Sequence, residues 1–157
     1  MKIKLLCVGK NNRSVWFKSL EDYFKRINQY APFTIEYVSE VKKGKKKIPY
    51  LIKKEETKKI ILKIKKEDVV VLLDERGKSL NSSAFARKIE NYQNNGVESL
   101  VFIIGGVYGF ADEIYANFPN RICLSEMTFS HQMVRLFFCE QLYRALTIIN
   151  NHPYHNP

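Results

Sequence analysis

Three short runs, residues 3–8, 69–73 and 100–104, are apolar on both faces of any strand they form. Such a strand must be covered twice, which is the situation inside a parallel sheet packed between two helical layers. The stretches between the runs supply those helices. Phe17, Leu20, Phe24 and Ile27 recur at helical spacing, as do Thr57, Ile60, Ile61 and Ile64, and then Phe85, Ile89 and Tyr92. Strand and helix alternate along the chain with no internal repeat and no long linker. The expected fold is therefore one α/β domain over residues 1–157, a parallel sheet with helices on both faces.

Local signals refine the reading. Asn12 is placed to cap the first helix, and Ser82 or Ser83 the third. Residues 33–38 alternate as a half-buried strand, with Phe33, Ile35 and Tyr37 on one side. A charged turn, Asp74-Glu75-Arg76-Gly77-Lys78, follows the second apolar run, and Asn95-Gly96 carries a left-handed helix stop. Asp112 and Glu113 sit in the first turn of a short helix that Pro119 closes, where the helix dipole favours acids. Residues 121–124 form a last strand, and a final helix occupies about residues 130–150.

Charge is concentrated rather than spread. The chain carries a formal net charge of +10, and between Lys42 and Lys66 twelve lysines stand against two glutamates, Glu55 and Glu56. That one stretch accounts for the whole excess, which suits a surface that contacts phosphates. Cys7, Cys123 and Cys139 are scattered within apolar runs and read as free core thiols of a reducing compartment. The apolar start is too short for a signal peptide, and no run approaches the ~18 residues of a membrane span. A cytoplasmic protein is expected.

Two features could carry chemistry. Gly105-Gly106-x-x-Gly109 joins a buried strand to a helix, where a tight turn and a ligand loop explain the glycines about equally. The final helix is apolar around most of its circumference, from Met133 to Ile149, so one side should face the sheet and another a second subunit. Within it His131 and Arg135 share a face, whereas Arg144, nine residues beyond Arg135, projects the opposite way at about 100° per residue. Both arginines can serve one site only if two chains contribute. Alternatively, Arg144 simply pairs with Glu140. His152 and His155 lack further ligands nearby, so no metal is expected. The chain has no Walker loop, nucleophile elbow or HExxH motif, which argues against hydrolases, NTPases and zinc peptidases.

The chain resembles the ribosomal RNA large-subunit methyltransferase H family of the SPOUT superfamily. The resemblance spans its whole length. It rests on the opening Met1-Lys-Ile-x-x-Leu-x-x-Val-Gly9-Lys10, the turn Leu73-Asp-Glu-x-Gly77-Lys78, and Phe102-Ile-Ile-Gly-Gly-x-x-Gly109. It continues in Leu124-Ser-x-Met-Thr-Phe129-x-His131-Gln-Met-Val-Arg135, Glu140-Gln-Leu-Tyr-Arg144-Ala and Asn151-His-Pro-Tyr-His155. The resemblance implies a C-terminal trefoil knot, a homodimer, and S-adenosylmethionine bound among Leu73, Gly105 and the stretch Leu124, Ser125, Glu126, Met127, Thr128 and Phe129. It further implies methylation of N3 of a pseudouridine in 23S rRNA on assembled ribosomes. The catalytic groups it suggests are Tyr154, His155, Arg135 and Arg144, in a composite site. Two positions depart from the pattern: Asn156 stands where a basic residue is usual, and Glu126 where a neutral or basic one is. The rival readings are a ribosome-binding factor without catalysis and a nucleotide-binding regulator.

Overall fold

The computed structural model describes residues 1–10, 16–41 and 48–155. Five strands, β1 (Lys2–Val8), β2 (Phe33–Val38), β3 (Val69–Ser79), β4 (Ser99–Ile104) and β5 (Arg121–Cys123), form one parallel sheet in the order β2-β1-β4-β3-β5. Successive residues of each strand point to opposite faces. Ile3, Leu5 and Cys7 of β1 therefore enter one core, with Phe102 of β4, Ile27 of α1 (Phe17–Ile27), Ile89 of α3 (Ser82–Asn94) and Leu142 of α5 (His131–Ile149). Leu6 and Val8 enter the other, with Ile60 of α2 (Pro49–Ile61) and Ile114 of α4 (Asp112–Asn117). The α/β expectation with helices on both faces holds.

Several details differ from the expectation. In α1, Leu20 and Ile27 are buried but Phe17 and Phe24 are half exposed, because the helix meets α5 along Tyr23 and its neighbours; Tyr23 and Tyr143 rings are 6.0 Å apart. Asn12 and the basic loop 42–47 lie outside the described residues. Helix α3 is capped by Asn81, whose side chain accepts from the Ala84 N–H at 2.8 Å, and not by Ser82 or Ser83. The helix stop at Asn95-Gly96 is as expected, with Gly96 at φ +72°.

The charged segment after Leu73 is not a free turn, since β3 runs on to Ser79. Leu72 and Leu73 pair with Arg121 and Ile122, and then Lys78 and Ser79 pair with Ile122 and Cys123. Residues 74–77 thus arc away from β5 and return to the same partner. A Cβ on Gly77 would stand 2.5 Å from the Ile122 carbonyl carbon, so only glycine lets the two backbones approach this closely.

Candidate active site

The carboxyl ends of β3, β4 and β5 open into a cavity of about 620 Å³. Ligands in open parallel sheets bind at this edge. Its floor is Leu73, Ile104 and Cys123; one wall is the loop 105–110, another the loop 124–129, and the first turn of α5 adds His131 and Val134. All eight residues expected around a cofactor, Leu73, Gly105, Leu124, Ser125, Glu126, Met127, Thr128 and Phe129, line this one cavity. Apolar side chains on both loops stand exposed at its rim, Val107 at 63% and Met127 at 74%, where a bound molecule would cover them.

The glycines of the first loop make room for the protein as well as for any ligand. A Cβ at Gly105 would press on the Phe110 ring at 3.1 Å, and one at Gly106 would collide with the Glu56 carboxylate. Gly109 has φ +72° and returns its N–H to the Gly106 carbonyl at 2.9 Å, closing the turn. In the second loop the Ser125 hydroxyl accepts from the Met127 N–H at 2.9 Å, and Ser130 caps α5 by accepting from Met133. The loops are therefore shaped by their own side chains, leaving backbone groups for recognition. A volume in the range of known ligand pockets, an apolar floor and loop walls that mix apolar side chains with hydroxyl and backbone groups fit an adenosyl compound.

Polar groups unforeseen from the sequence also border the cavity. Tyr115 donates to Asp74 Oδ2 at 2.7 Å, and the Arg76 and Arg121 guanidinium groups lie 5.7 and 5.2 Å from its ring centroid. Burial, helped by Asp74, pushes the Tyr115 hydroxyl far above the usual phenol range, fixing it as a donor. Burial and the neighbouring Arg135 lower the His131 pKa, with Glu40 opposing, so the imidazole favours its neutral form.

The four residues expected to be catalytic lie elsewhere. Arg135 is 2% exposed; its Nη2 donates to the carbonyls of Val8 and Gly9 at 2.9 Å, and its guanidinium lies 5.3 Å from the Tyr37 ring centroid. This arginine ties α5 to the end of β1. Arg144 points the other way and pairs with Glu140, whose Oε1 accepts from Nε at 3.0 Å and Nη2 at 2.5 Å. The terminal segment is not a loose end: the His152 N–H donates to the Thr147 carbonyl, and the Tyr154 ring packs 4.7 Å from that of Tyr143. Tyr154 also donates to Glu140 Oε1 at 3.3 Å, and burial raises its pKa, followed by its bond to Tyr23. His155 Nδ1 is buried without a partner among the described residues, and Asn156 lies outside them. Arg144, Tyr154 and Glu140 form one cluster at the far end of α5, while His131 at the near end lines the cavity.

The three cysteines are free and buried, Cys7 with its thiol pushed up to about 12 by burial. Among the described residues no group of three His, Cys, Asp or Glu side chains is placed to hold a metal, and no helix is long and apolar enough to cross a membrane.

Residues 1–155 match the family described as Predicted SPOUT methyltransferase. Proteins named Ribosomal RNA large subunit methyltransferase H from Flavobacterium psychrophilum, Phocaeicola vulgatus and Porphyromonas gingivalis are similar along the whole length. They are 44%, 46% and 42% identical over 156 residues, 99% of this chain and 99% of each relative.

Proposed function

Because this chain belongs to the ribosomal RNA large-subunit methyltransferase H family of SPOUT methyltransferases, we propose that it transfers a methyl group from S-adenosylmethionine to N3 of a pseudouridine in 23S rRNA. The substrate is the assembled ribosome and the active form a homodimer in the cytoplasm. The observation that carries this reading is the convergence of Leu73, Gly105 and residues 124–129, from three separate segments, on one cavity at the carboxyl ends of β3, β4 and β5. The C-terminal half is a trefoil knot on this reading, which rests on membership of the SPOUT family.

S-adenosylmethionine, when bound, supplies an electrophilic methyl group on a sulfonium. The protein must then place the base in line with it and stabilise the anion left when N3 loses its proton. We assign Arg144 to that anion or to the adjoining phosphate, as a cation that stays charged at all working pH values. Tyr154, protonated throughout the working range, donates a hydrogen bond and offers a ring for stacking, and we assign the imidazole of His155 to accept the N3 proton. Arg135 supports the site by holding α5 to β1.

These groups cannot reach the cavity of their own chain. Arg144 is thirteen residues from His131 along α5, about 20 Å at the usual helical rise. A partner subunit that brings its Arg144 cluster to this cavity completes the site, and the remaining apolar surface of α5, including the 40% exposed Phe137, suits that contact. The outer lysines of α2 and the following turn, Lys54, Lys58, Lys63 and Lys66 among them, are exposed and supply the phosphate-binding surface.

The test is mass spectrometry of 23S rRNA from cells with and without the protein, followed by methylation of the deficient ribosomes with purified protein. One methylated pseudouridine should disappear and then return. Identical modification maps would refute the assignment.

A further inference from the structure

Beside the main cavity lies a second one of about 280 Å³, which shares Gly106, Val107, Tyr108 and His131 with it. Its back wall comes from α2 and the segment after β2, and its charged lining is acidic. Glu56, 4% exposed, borders the cavity, and Glu40 stands exposed at the edge. Glu56 Oε1 accepts from the Val41 N–H at 3.1 Å. Oε2 is turned against Gly106, and it has no hydrogen-bond partner among the described residues. The nearby Lys59 is occupied elsewhere: its ammonium donates to the Ser39 carbonyl and hydroxyl at 2.8 and 2.9 Å. His131 favours its neutral form and so offers little positive charge.

A buried carboxylate with a vacant lone pair is costly unless a donor or a cation meets it. The chain as a whole carries a formal charge of +10, whereas among the described residues the charged side chains lining this cavity are acids. The cavity repels phosphate, and it would oppose the anion that forms when a base N–H is deprotonated. It matches a compact cation with hydrogens to donate. The cofactor carries such a group, the ammonium of its aminocarboxypropyl arm, and the two cavities meet at Gly106.

We propose that the smaller cavity is the subsite for that ammonium, with Glu56 as its principal acceptor and Glu40 as a second negative charge at the edge. The assignment rests on the cofactor reading above. Rotation about the terminal carbon–carbon bond of Glu56, which is soft for carboxylates, turns Oε2 from Gly106 toward the cavity and carries Oε1 off the Val41 N–H, so the ammonium bond takes the place of that one. Glu56 is then a cofactor-selectivity residue on the inner face of the helix whose outer face carries the lysines.

Calorimetry with the intact protein decides it, using S-adenosylhomocysteine and its deamino analogue, in which hydrogen replaces the ammonium. Wild type should lose about tenfold or more in affinity on deamination, in line with a charge-assisted hydrogen bond. Glu56→Gln should bind both ligands alike, at the wild-type level for the deamino compound; its amide oxygen still accepts from Val41, and circular dichroism checks the fold. Equal affinities in the wild type, or an undiminished preference in folded Glu56→Gln, overturn the subsite. Should Glu56→Gln fail to fold, the ligand pair on the wild-type protein still decides. Wild-type protein that binds neither ligand overturns the cofactor reading and the subsite with it.

Discussion

The Arg144 guanidinium lies 4.8 Å from the centroid of the Tyr154 ring, and both side chains donate to the same oxygen, Glu140 Oε1. One carboxylate thus organises a helix arginine and a tail tyrosine into a single unit. Tyr154→Phe removes the bond and should cost about 1 kcal/mol of stability, read by urea unfolding. Methyl transfer should fall by more than this small loss accounts for. Because burial and Tyr23 raise the Tyr154 pKa, its hydroxyl does not titrate at neutrality. The pH–rate profile of Tyr154→Phe should therefore keep its wild-type shape between about pH 6 and 9, whereas His155→Ala should lower the rate if it takes the proton. A profile altered by Tyr154→Phe would reverse the two roles.

That unit also determines which subunit mixtures can regain activity. On the composite-site proposal Arg144 and the tail act from the same chain, so mixing Arg144→Ala chains with tail-deleted chains should restore nothing. Mixing either with a chain whose cavity is blocked by Gly105→Val should restore about one quarter of wild-type sites, since half the dimers are mixed and each has one complete site. Sedimentation should show a dimer of the 18.4 kDa chain. A monomer at micromolar concentration, or full activity in isolated monomers, would sink the composite site.

Gly77 makes a prediction independent of any ligand. Since its Cβ would stand 2.5 Å from the Ile122 backbone, Gly77→Ala must force β3 and β5 apart. A loss on the order of 3 kcal/mol or more is expected in chemical denaturation. A variant as stable as wild type would show that the arc at residues 74–77 yields freely.

Arg135 should behave as a structural clamp. Arg135→Met leaves the Val8 and Gly9 carbonyls without their buried donor and should cost roughly 2 kcal/mol or more. Below its unfolding range, single-turnover transfer with saturating cofactor should stay within about tenfold of wild type, a loss of less than ~1.4 kcal/mol in barrier. A loss of several orders of magnitude in a stably folded variant would instead place Arg135 in the chemistry.

His131 yields a pH dependence of definite sign. Its folded pKa lies below the usual value, so near the unfolded pKa of ~6.5 the unfolded chain binds more protons. The contribution of His131 is present above that value and is lost as pH falls through the window below it. Relative to His131→Asn, wild-type melting temperature should therefore drop more steeply between about pH 6.5 and 5. Parallel curves would contradict the shift.

The sheet was legible because apolar runs such as Val69 to Leu73 admit few other uses, whereas the grouping of Leu73, Gly105 and residues 124–129 came only from the family resemblance. Long-range contacts were not legible. The charged segment 74–78 reads as a turn by composition, and only its pairing with Ile122 makes it part of a strand. Glu56 was hidden among lysines: helical spacing brought Ile61 and Ile64 into the stripe, whereas the buried face is Ile52, Glu56, Thr57 and Ile60. An acid on a buried face betrays itself only when its partners across the fold are known. The partners of Arg135 were hidden for the same reason, since they are carbonyls more than a hundred residues away.

Helix α2 has lysines on one side and, on the other, a carboxylate pressed against the loop beside the larger cavity. On the proposed ribosome contact through those lysines, a shift of this helix would alter the fit of Glu56 against Gly106. Thermodynamic linkage then makes the effect reciprocal: the factor by which the ribosome changes cofactor affinity equals the factor by which the cofactor changes ribosome affinity. An enzyme built this way can hold its methyl donor weakly in free solution and tightly only where a substrate is present.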